Sequence, residues 1–337
     1  MPYDRLPRHL ATSDSPTVTT LPDGSIDHYC SVSGGAEALE TRASFARGIL
    51  GDRSSFGFHV ETTEPGGQAV NAAKQLHGLG GDVTCYGHLE DPVFEPLPFE
   101  TVSMGDPSTV YVLEFADRDV MFVDDSALTD WTLEEIRRVG GLPDVLHSDA
   151  VCCSNWTSAS GLEAAFHRLG TEEAGRVPFV FDPGDVVGNS PDRMEALHDA
   201  LAALQNTFDV VYNGNREEVR ATADPLGAFE SDIERLAAIR EATGITAAVM
   251  HARDEAAVAA GDGRTRVENY RALSPERHTG GGDRFSGALT HALACGWDWD
   301  VALACANACA TYYVESGETG TAADVARLVE ERPAAGP

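Results

Sequence analysis

Lysine is nearly absent from this chain: of its 24 basic residues only Lys74 is a lysine, and the rest are arginine. Positive charge as a whole is scarce. Against those residues stand 54 Asp and Glu, leaving a net charge of −30. Phosphate backbones and anionic lipids attract cationic surfaces, so a nucleic-acid partner and a membrane-surface partner are both excluded. A carboxylate-rich, lysine-poor surface repels itself in dilute buffer and is screened within a few ångströms in molar salt. The composition therefore predicts a protein of a salt-adapted, halophilic proteome. No CxxC pair occurs among the seven cysteines (30, 85, 152, 153, 295, 305 and 309), which mostly lie in apolar runs and read as small buried hydrophobes of a reducing compartment. Cys305 and Cys309 share a helical face but lack accompanying ligands, so no zinc is expected. No GK[ST] follows a glycine-rich loop, which excludes a Walker A site, and no GxGxxG joins a strand to a helix, which excludes a dinucleotide-dependent oxidoreductase. An apolar h-region is missing from MPYDRLPRHL, and the most apolar C-terminal stretch is broken by His291, Asp298 and Asp300. A cytoplasmic location is expected.

What is present is ample core material, with 42% hydrophobic residues and carboxylates spread along the whole chain. From about residue 144, short β-rich runs alternate with amphipathic helical runs, the pattern of a doubly wound parallel sheet. The strands read as AVCCS (150–154), VPFVFD (177–182), FDVVYN (208–213) and ITAAVM (245–250), with helices opening near Ser160, Ser190, Asn215 and Ser231. Earlier, residues 17–34 read as strand and turn. Leu39, Ala43, Ala46 and Leu50 recur at the spacing of one helical face. A helix over about 68–79 precedes the strand VTCYG (83–87), and TVYVLEF and VMFVD flank ADRD as an antiparallel hairpin. Helices over about 283–295, 299–314 and 321–331 close the chain. The expectation is one α/β domain over 1–337, a mainly parallel doubly wound sheet flanked by helices, with a small β lid from parts of about 25–65 and 108–124.

Two segments carry chemistry. The first, His278-Thr279-Gly280-Gly281-Gly282-Asp283 followed by a helical run, places three glycines at a helix entry. Backbone N–H groups converge there without Cβ interference and form an anion-binding nest, and a carboxylate at the end of the loop is placed to take a proton from an attacking hydroxyl. The second, EPGGQAVNAAKQLHGLGGDVTCYGHLEDP (64–92), has Gly66-Gly67, then Asn71, a small-residue helix and a strand.

In this order and at this distance the two segments resemble the ribokinase (PfkB) family of carbohydrate and nucleoside kinases, over about Gly24 to Ser316. The resemblance implies the ribokinase-like fold and ATP- and Mg2+-dependent phosphoryl transfer to a hydroxyl of a sugar or sugar-like substrate. It implies Asp283 as general base and Gly280, Gly281 and Gly282 as anion hole. Asp27, in Gly24-Ser25-Ile26-Asp27, would grip substrate hydroxyls together with Gly66, Gly67 and Asn71. Asn215-Arg216-Glu217-Glu218 looks like the family's NxxE motif, so Asn215 and Glu218 would serve the nucleotide, with Glu218 reaching the metal through water. Thr279 and Asn307 complete the nucleotide side, Phe181-Asp182-Pro183-Gly184 resembles the strand end that leads to it, and Arg253, standing where the family's glycine loop should be, is a candidate phosphate partner instead.

Three departures qualify the resemblance. The family's T-x-G-x-x-G loop should follow ITAAVM, yet His251-Ala252-Arg253-Asp254-Glu255 stands there. Arg277 occupies a position where many relatives carry an Asp that helps hold a monovalent cation. The segment between Asp27 and Gly66 is long and that after Asp91 short, which puts substrate choice in a remodelled lid. A nucleoside kinase on the same fold and a non-catalytic sugar-binding relative remain alternatives. Tyr29, Phe56, Phe58 or Tyr111 would have to stack on a base, whereas Arg42, Arg47 and Arg53 would serve a phosphorylated sugar. Pairing of two lids in a homodimer would cover exposed sheet edges.

Overall fold

The structure, a computed structural model, describes residues 1–51, 53–273, 275–277 and 279–332. His278, the first residue of the glycine loop as read from sequence, lies outside the described residues. The chain opens on α1 (Pro2–Thr12) and β1 (Thr17–Leu21), then forms β2 (Ser25–Gly34), β3 (Glu37–Ala38), α2 (Arg42–Leu50), β4 (Gly57–Gly66), α3 (Gln68–Gly78) and β5 (Asp82–Gly87). After β6 (Glu100–Ser103) come β7 (Ser108–Leu113), β8 (Val120–Asp124) and three short helices, α4 (Ser126–Thr129), α5 (Leu133–Arg138) and α6 (Leu142–His147). The alternating half follows as β9 (Ala150–Ser154), α7 (Leu162–Leu169), β10 (Pro178–Asp182), α8 (Pro191–Leu204), β11 (Asp209–Asn215), α9 (Arg216–Ala223), α10 (Asp232–Thr243) and β12 (Ala247–His251). A hairpin, β13 (Glu255–Ala260) and β14 (Gly263–Glu268), leads to α11 (Gly281–Ala294), α12 (Trp299–Ser316) and α13 (Ala322–Glu331).

Nine strands form one sheet in the order β14-β13-β12-β11-β10-β9-β1-β5-β6, parallel from β12 to β6 and antiparallel at the β13–β14 end. Its strands are apolar on both faces because helices cover both. One face carries Phe166, Phe179, Phe181, Phe208 and Trp156 under α7 and α8, and the other packs α1, α11, α12 and α13. The chain leaves β1 towards β5 on one side and returns at β9 on the other. Strand order therefore switches between β1 and β9, where the carboxyl ends of an α/β sheet form a crevice.

A second, smaller sheet stands over those carboxyl ends. Within it β2 pairs with β4 and β3 antiparallel and with β7 parallel, and β7 pairs with β8 antiparallel. The expected hairpin of TVYVLEF and VMFVD is thus present. The helix expected on Leu39, Ala43, Ala46 and Leu50 is present in part but buries a different residue. Leu39 precedes it, Ala43 and Ala46 face solvent, Leu50 is 87% exposed, and Phe45 is the buried side chain. The reason is packing: α2 covers only a small cluster on the second sheet (Cys30, Val32, Leu113 and Phe115), which one aromatic ring fills where alanines would not. No helix among the described residues is long and apolar enough to cross a membrane.

Candidate active site

The carboxyl ends of five of the parallel strands, β1, β9, β10, β11 and β12, deliver polar residues to a cleft of about 460 Å³ under the second sheet. From β1 to β12 these are Asp23, Asn155, Asp182, Asn215 and His251. The amino end of α3 contributes Gly67, Gln68 and Asn71, and the amino end of α11 contributes Thr279, Gly280, Gly282 and Asp283. From above, the second sheet lowers Ser25, Asp27, Tyr29, Val110, Val112, Met121 and Val123.

Gly66 and Gly67 shape the turn from β4 into α3. A Cβ on Gly66 would overlap the Asp27 carboxylate, and one on Gly67, whose φ is +99°, would stand 2.8 Å from the Gly24 Cα. Asp27 accepts a hydrogen bond from Ser25 Oγ at 2.5 Å. Its burial raises the pKa, and the Ser25 hydrogen bond and then the positive charge of Lys74 act against that rise. One turn into α3, Asn71 Nδ2 donates to Asp283 Oδ2 at 2.9 Å, so the two segments singled out in the sequence touch. Asp283 is pushed up to about 7, chiefly by burial and further by the charge of Asp182, with Arg284 and Asn71 opposing.

At the start of α11 the first intrahelical hydrogen bond runs from Arg284 N–H to the Gly280 carbonyl. The N–H groups of Gly281, Gly282 and Asp283 precede it and carry the positive end of the helix dipole. Gly281 sits against Val314, while Gly280 and Gly282 line the cleft. Asn215 caps α9 by accepting from the N–H groups of Glu217 and Glu218, and Glu218 Oε2 accepts from Asn215 N–H at 2.7 Å. Buried beside Asp182, Glu218 is pushed up to about 9. Asp182 accepts from Ser286 Oγ at 2.8 Å and Ser286 from Asn213 Nδ2 at 2.8 Å. Burial holds His251 down at about 4, so its ring is neutral, packed on Phe285 and against Gly282.

Several placements differ from the sequence reading. Asn307 does not reach the cleft: it is 1% exposed, with Nδ2 donating to Tyr3 Oη and the Val267 carbonyl. Helix α1 lies against α12 and brings Tyr3 there, a contact between residues 304 positions apart. Arg253 is exposed in the turn between β12 and β13 and lines no part of the cleft, because the segment that replaces the glycine loop folds as a tight hairpin. Arg42 pairs with Asp117, and neither it nor Arg47 or Arg53 lines the cleft. Phe58 and Tyr111 lie exposed on the outer face of the second sheet and Phe56 packs beside Phe45, whereas Tyr29 lines the cleft with the Arg277 guanidinium 4.0 Å from its ring centre.

Sequence reasoning missed Asp23. Its carboxylate is buried and accepts from the N–H groups of Gln68 and Ala69 at 2.9 and 2.7 Å, from Asn155 Nδ2 at 3.1 Å and from Ser154 Oγ at 3.4 Å. Burial raises its pKa despite those donors. Pro22-Asp23-Gly24 reads as a turn, and only the pairing of β1 with β9 and the approach of α3 turn it into a hub. Asn155 was missed for the same reason, although its φ of +61° at the end of β9 is a conformation that Asn tolerates best after Gly.

Residues 51–332 match the model of the prokaryotic ketohexokinase family. The chain belongs to that family. Among curated proteins it is similar to a ketohexokinase of Haloferax volcanii, 28% identical over 277 residues that make up 76% of this chain and 72% of the relative. Among solved structures it is similar to an archaeal nucleoside kinase of the ribokinase family from Methanocaldococcus jannaschii, with a TM-score of 0.63 at 13% identity, covering 95% of this chain and 99% of that one. A second is an Arabidopsis thaliana ribokinase complexed with ribose and ATP, with a TM-score of 0.63 at 16% identity, covering 94% and 99%. These likenesses give the ribokinase-like α/β fold, and the family makes the protein a kinase of the sugar and nucleoside class.

Proposed function

We propose that the protein transfers the terminal phosphoryl group of ATP to a hydroxyl of a free ketohexose. The observation that carries this reading is the Asn71–Asp283 hydrogen bond, which joins the acceptor turn to the base and anion hole inside a cleft with no Arg or Lys among its described lining residues. A sugar phosphate would leave its charge unpaired there. A nucleoside base would need an open aromatic face, and the Arg277 guanidinium covers that of Tyr29.

Asp27, Asn71 and the Gly66–Gly67 turn hold the acceptor's hydroxyls. Asp283 takes the proton of the attacking hydroxyl as its oxygen bonds to phosphorus. The N–H groups of Gly281, Gly282 and Asp283 stabilise charge on the transferring group. Thr279 and Asn215 flank its path. Four carboxylates, the buried Asp23, Asp182 and Glu218 and the half-buried Asp283, all have raised pKa values, so the cleft disfavours added negative charge and fits an oxygen-liganded divalent cation. Among the described residues no three His, Cys, Asp or Glu converge as direct ligands. Mg2+, which keeps several of its waters, would be held by Glu218 through such a water, with Asn215 beside it. When bound, Mg2+ neutralises developing phosphate charge.

The apolar inner face of the second sheet, Val110, Val112, Met121 and Val123, acts as a lid that excludes water. Its outer face exposes Phe58, Val60, Tyr111 and Phe122, the surface on which two lids would pair. The test is ADP release in molar KCl with MgCl2 and ATP, across free ketoses, aldoses, sugar phosphates and nucleosides. Turnover on a free ketohexose is expected. Preference for a nucleoside or a sugar phosphate would overturn the acceptor assignment, and silence from folded protein would favour a non-catalytic binder.

A further inference from the structure

Lys74 survives alone in a chain that otherwise uses arginine for every basic side chain. It lies on α3 three residues after Asn71, a spacing that puts both side chains on one helix face. Asn71 reaches forward to Asp283. Lys74 Nζ donates to the Pro65 carbonyl at 2.5 Å, in the residue immediately before Gly66 and Gly67. Gly66 in turn bears on the Asp27 carboxylate. A single side chain thus ties the helix that orients the base to the turn that cradles Asp27.

The groups acting on Lys74 come from four elements: Asp27 on β2, Glu64 on β4, Cys85 on β5, and Asp283 and Arg284 on α11. Arg284 is taken up by Tyr313, whose ring centre is 4.0 Å from its guanidinium. Arg277 is taken up by Glu64 at 3.0 Å and by Tyr29. Among the described residues Lys74 is therefore the cation left to act on Asp27, and its charge opposes the rise in the pKa of Asp27. An ammonium suits the place, being compact and making a point contact with one carbonyl, whereas a planar guanidinium needs more room.

We propose that Lys74 is a positioning residue of the acceptor site, tethering the Pro65–Gly66–Gly67 turn and keeping Asp27 ionised so that it grips acceptor hydroxyls. This rests on the kinase reading. An ionised carboxylate accepts a hydroxyl hydrogen bond more strongly than its neutral form, so loss of the Lys74 charge weakens acceptor binding more than it slows chemistry. Burial, with Arg284 adding to it, lowers Lys74 to about 8. A lysine is charged below its pKa, so acceptor affinity is expected to be full below about pH 8 and to fall above it.

The experiment compares wild type with Lys74→Met and Lys74→Arg in molar KCl, measuring KM for fructose, KM for ATP and kcat from pH 6 to 9.5, with thermal unfolding as a folding check. In Lys74→Met the KM for fructose is expected to rise tenfold or more, with smaller changes in kcat and in KM for ATP. In Lys74→Arg the larger head group is expected to raise KM at every pH, but the further rise of KM above pH 8 is expected to vanish. As the sole lysine, Lys74 also provides one side-chain amine signal after reductive 13C-dimethylation, and fructose is expected to shift it and raise its pKa. An unchanged KM in folded Lys74→Met, or a flat wild-type KM across pH 8, overturns the proposal while leaving the kinase intact. If Lys74→Met does not fold, the wild-type profile and Lys74→Arg decide. A wild type that phosphorylates no ketose overturns the ketohexose reading instead.

Discussion

Asp283→Asn should inactivate the protein and stabilise it at the same time. The replacement keeps an oxygen for Asn71 Nδ2, now 2.9 Å from Asp283 Oδ2, so the contact between α3 and α11 survives. What disappears is a half-buried, poorly solvated charge that Asp182 repels. The pKa of Asp283 stands at about 7 against an ordinary carboxylate value near 4, and at 1.36 kcal/mol per pKa unit that gap is worth about 4 kcal/mol against the ionised form. The folded value is raised, so the stability contributed by the neutral acid is complete below about pH 4 and is lost as pH rises through about 7. Asparagine stays neutral throughout. Asp283→Asn should therefore be more stable than wild type by up to about 4 kcal/mol at pH 8, and the difference should close towards pH 4. Turnover should fall by about 10² or more, because no group remains to take the hydroxyl proton. In wild type, kcat/KM for the acceptor should rise with pH through about 7 as Asp283 ionises and fall again above about 8 as Lys74 loses its charge. Thermal unfolding and coupled ADP release in molar KCl, from pH 5 to 9, measure all three. A variant rate within tenfold of wild type would refute the base, and a variant less stable than wild type at pH 8 would refute the desolvated-charge argument.

Gly66→Ala should raise acceptor KM sharply, since its methyl group would overlap the Asp27 carboxylate, while unfolding stability drops by about 1–3 kcal/mol; steady-state kinetics and thermal melts check both. Asp23→Ala should destabilise by about 2–3 kcal/mol because two amides of α3 and Asn155 Nδ2 lose their acceptor, which chemical denaturation in molar KCl would register. With a net charge of −30, the melting temperature should climb steeply with KCl between dilute and molar concentrations, and a salt-independent melt would remove the halophilic reading. Sedimentation in molar KCl should show a dimer that Phe58→Asp with Phe122→Asp converts to monomer, since both rings lie exposed on the outer face of the lid sheet, 6.5 Å apart.

Motifs made of adjacent residues were legible without coordinates. Gly66-Gly67 with Asn71, and Gly280 to Asp283, announce helix entries because glycine and short polar residues act through the local backbone. The strands of the alternating half were read to within a residue or two, their apolar runs being buried on both faces. Hidden were residues whose role depends on what the chain brings alongside. Asp23 reads as a turn, Asn307 reads as free to serve a nucleotide until Tyr3 arrives from the other end of the chain, and Leu50 reads as core until α2 proves to cover so small a cluster.

Composition and local pattern alone determined the acidic, lysine-poor surface, the α/β alternation and the two glycine-bearing helix entries, since each depends on neighbours within a few residues. The tertiary structure decided that Asn71 meets Asp283 across 212 positions. It also decided that Asp23, Asp182, Glu218 and Asp283 share one desolvated cleft and that Lys74 stands behind Asp27. The raised carboxylates and the lowered lysine follow from burial and from charges distant in sequence, quantities that come into being only when the sheet closes and the helices pack.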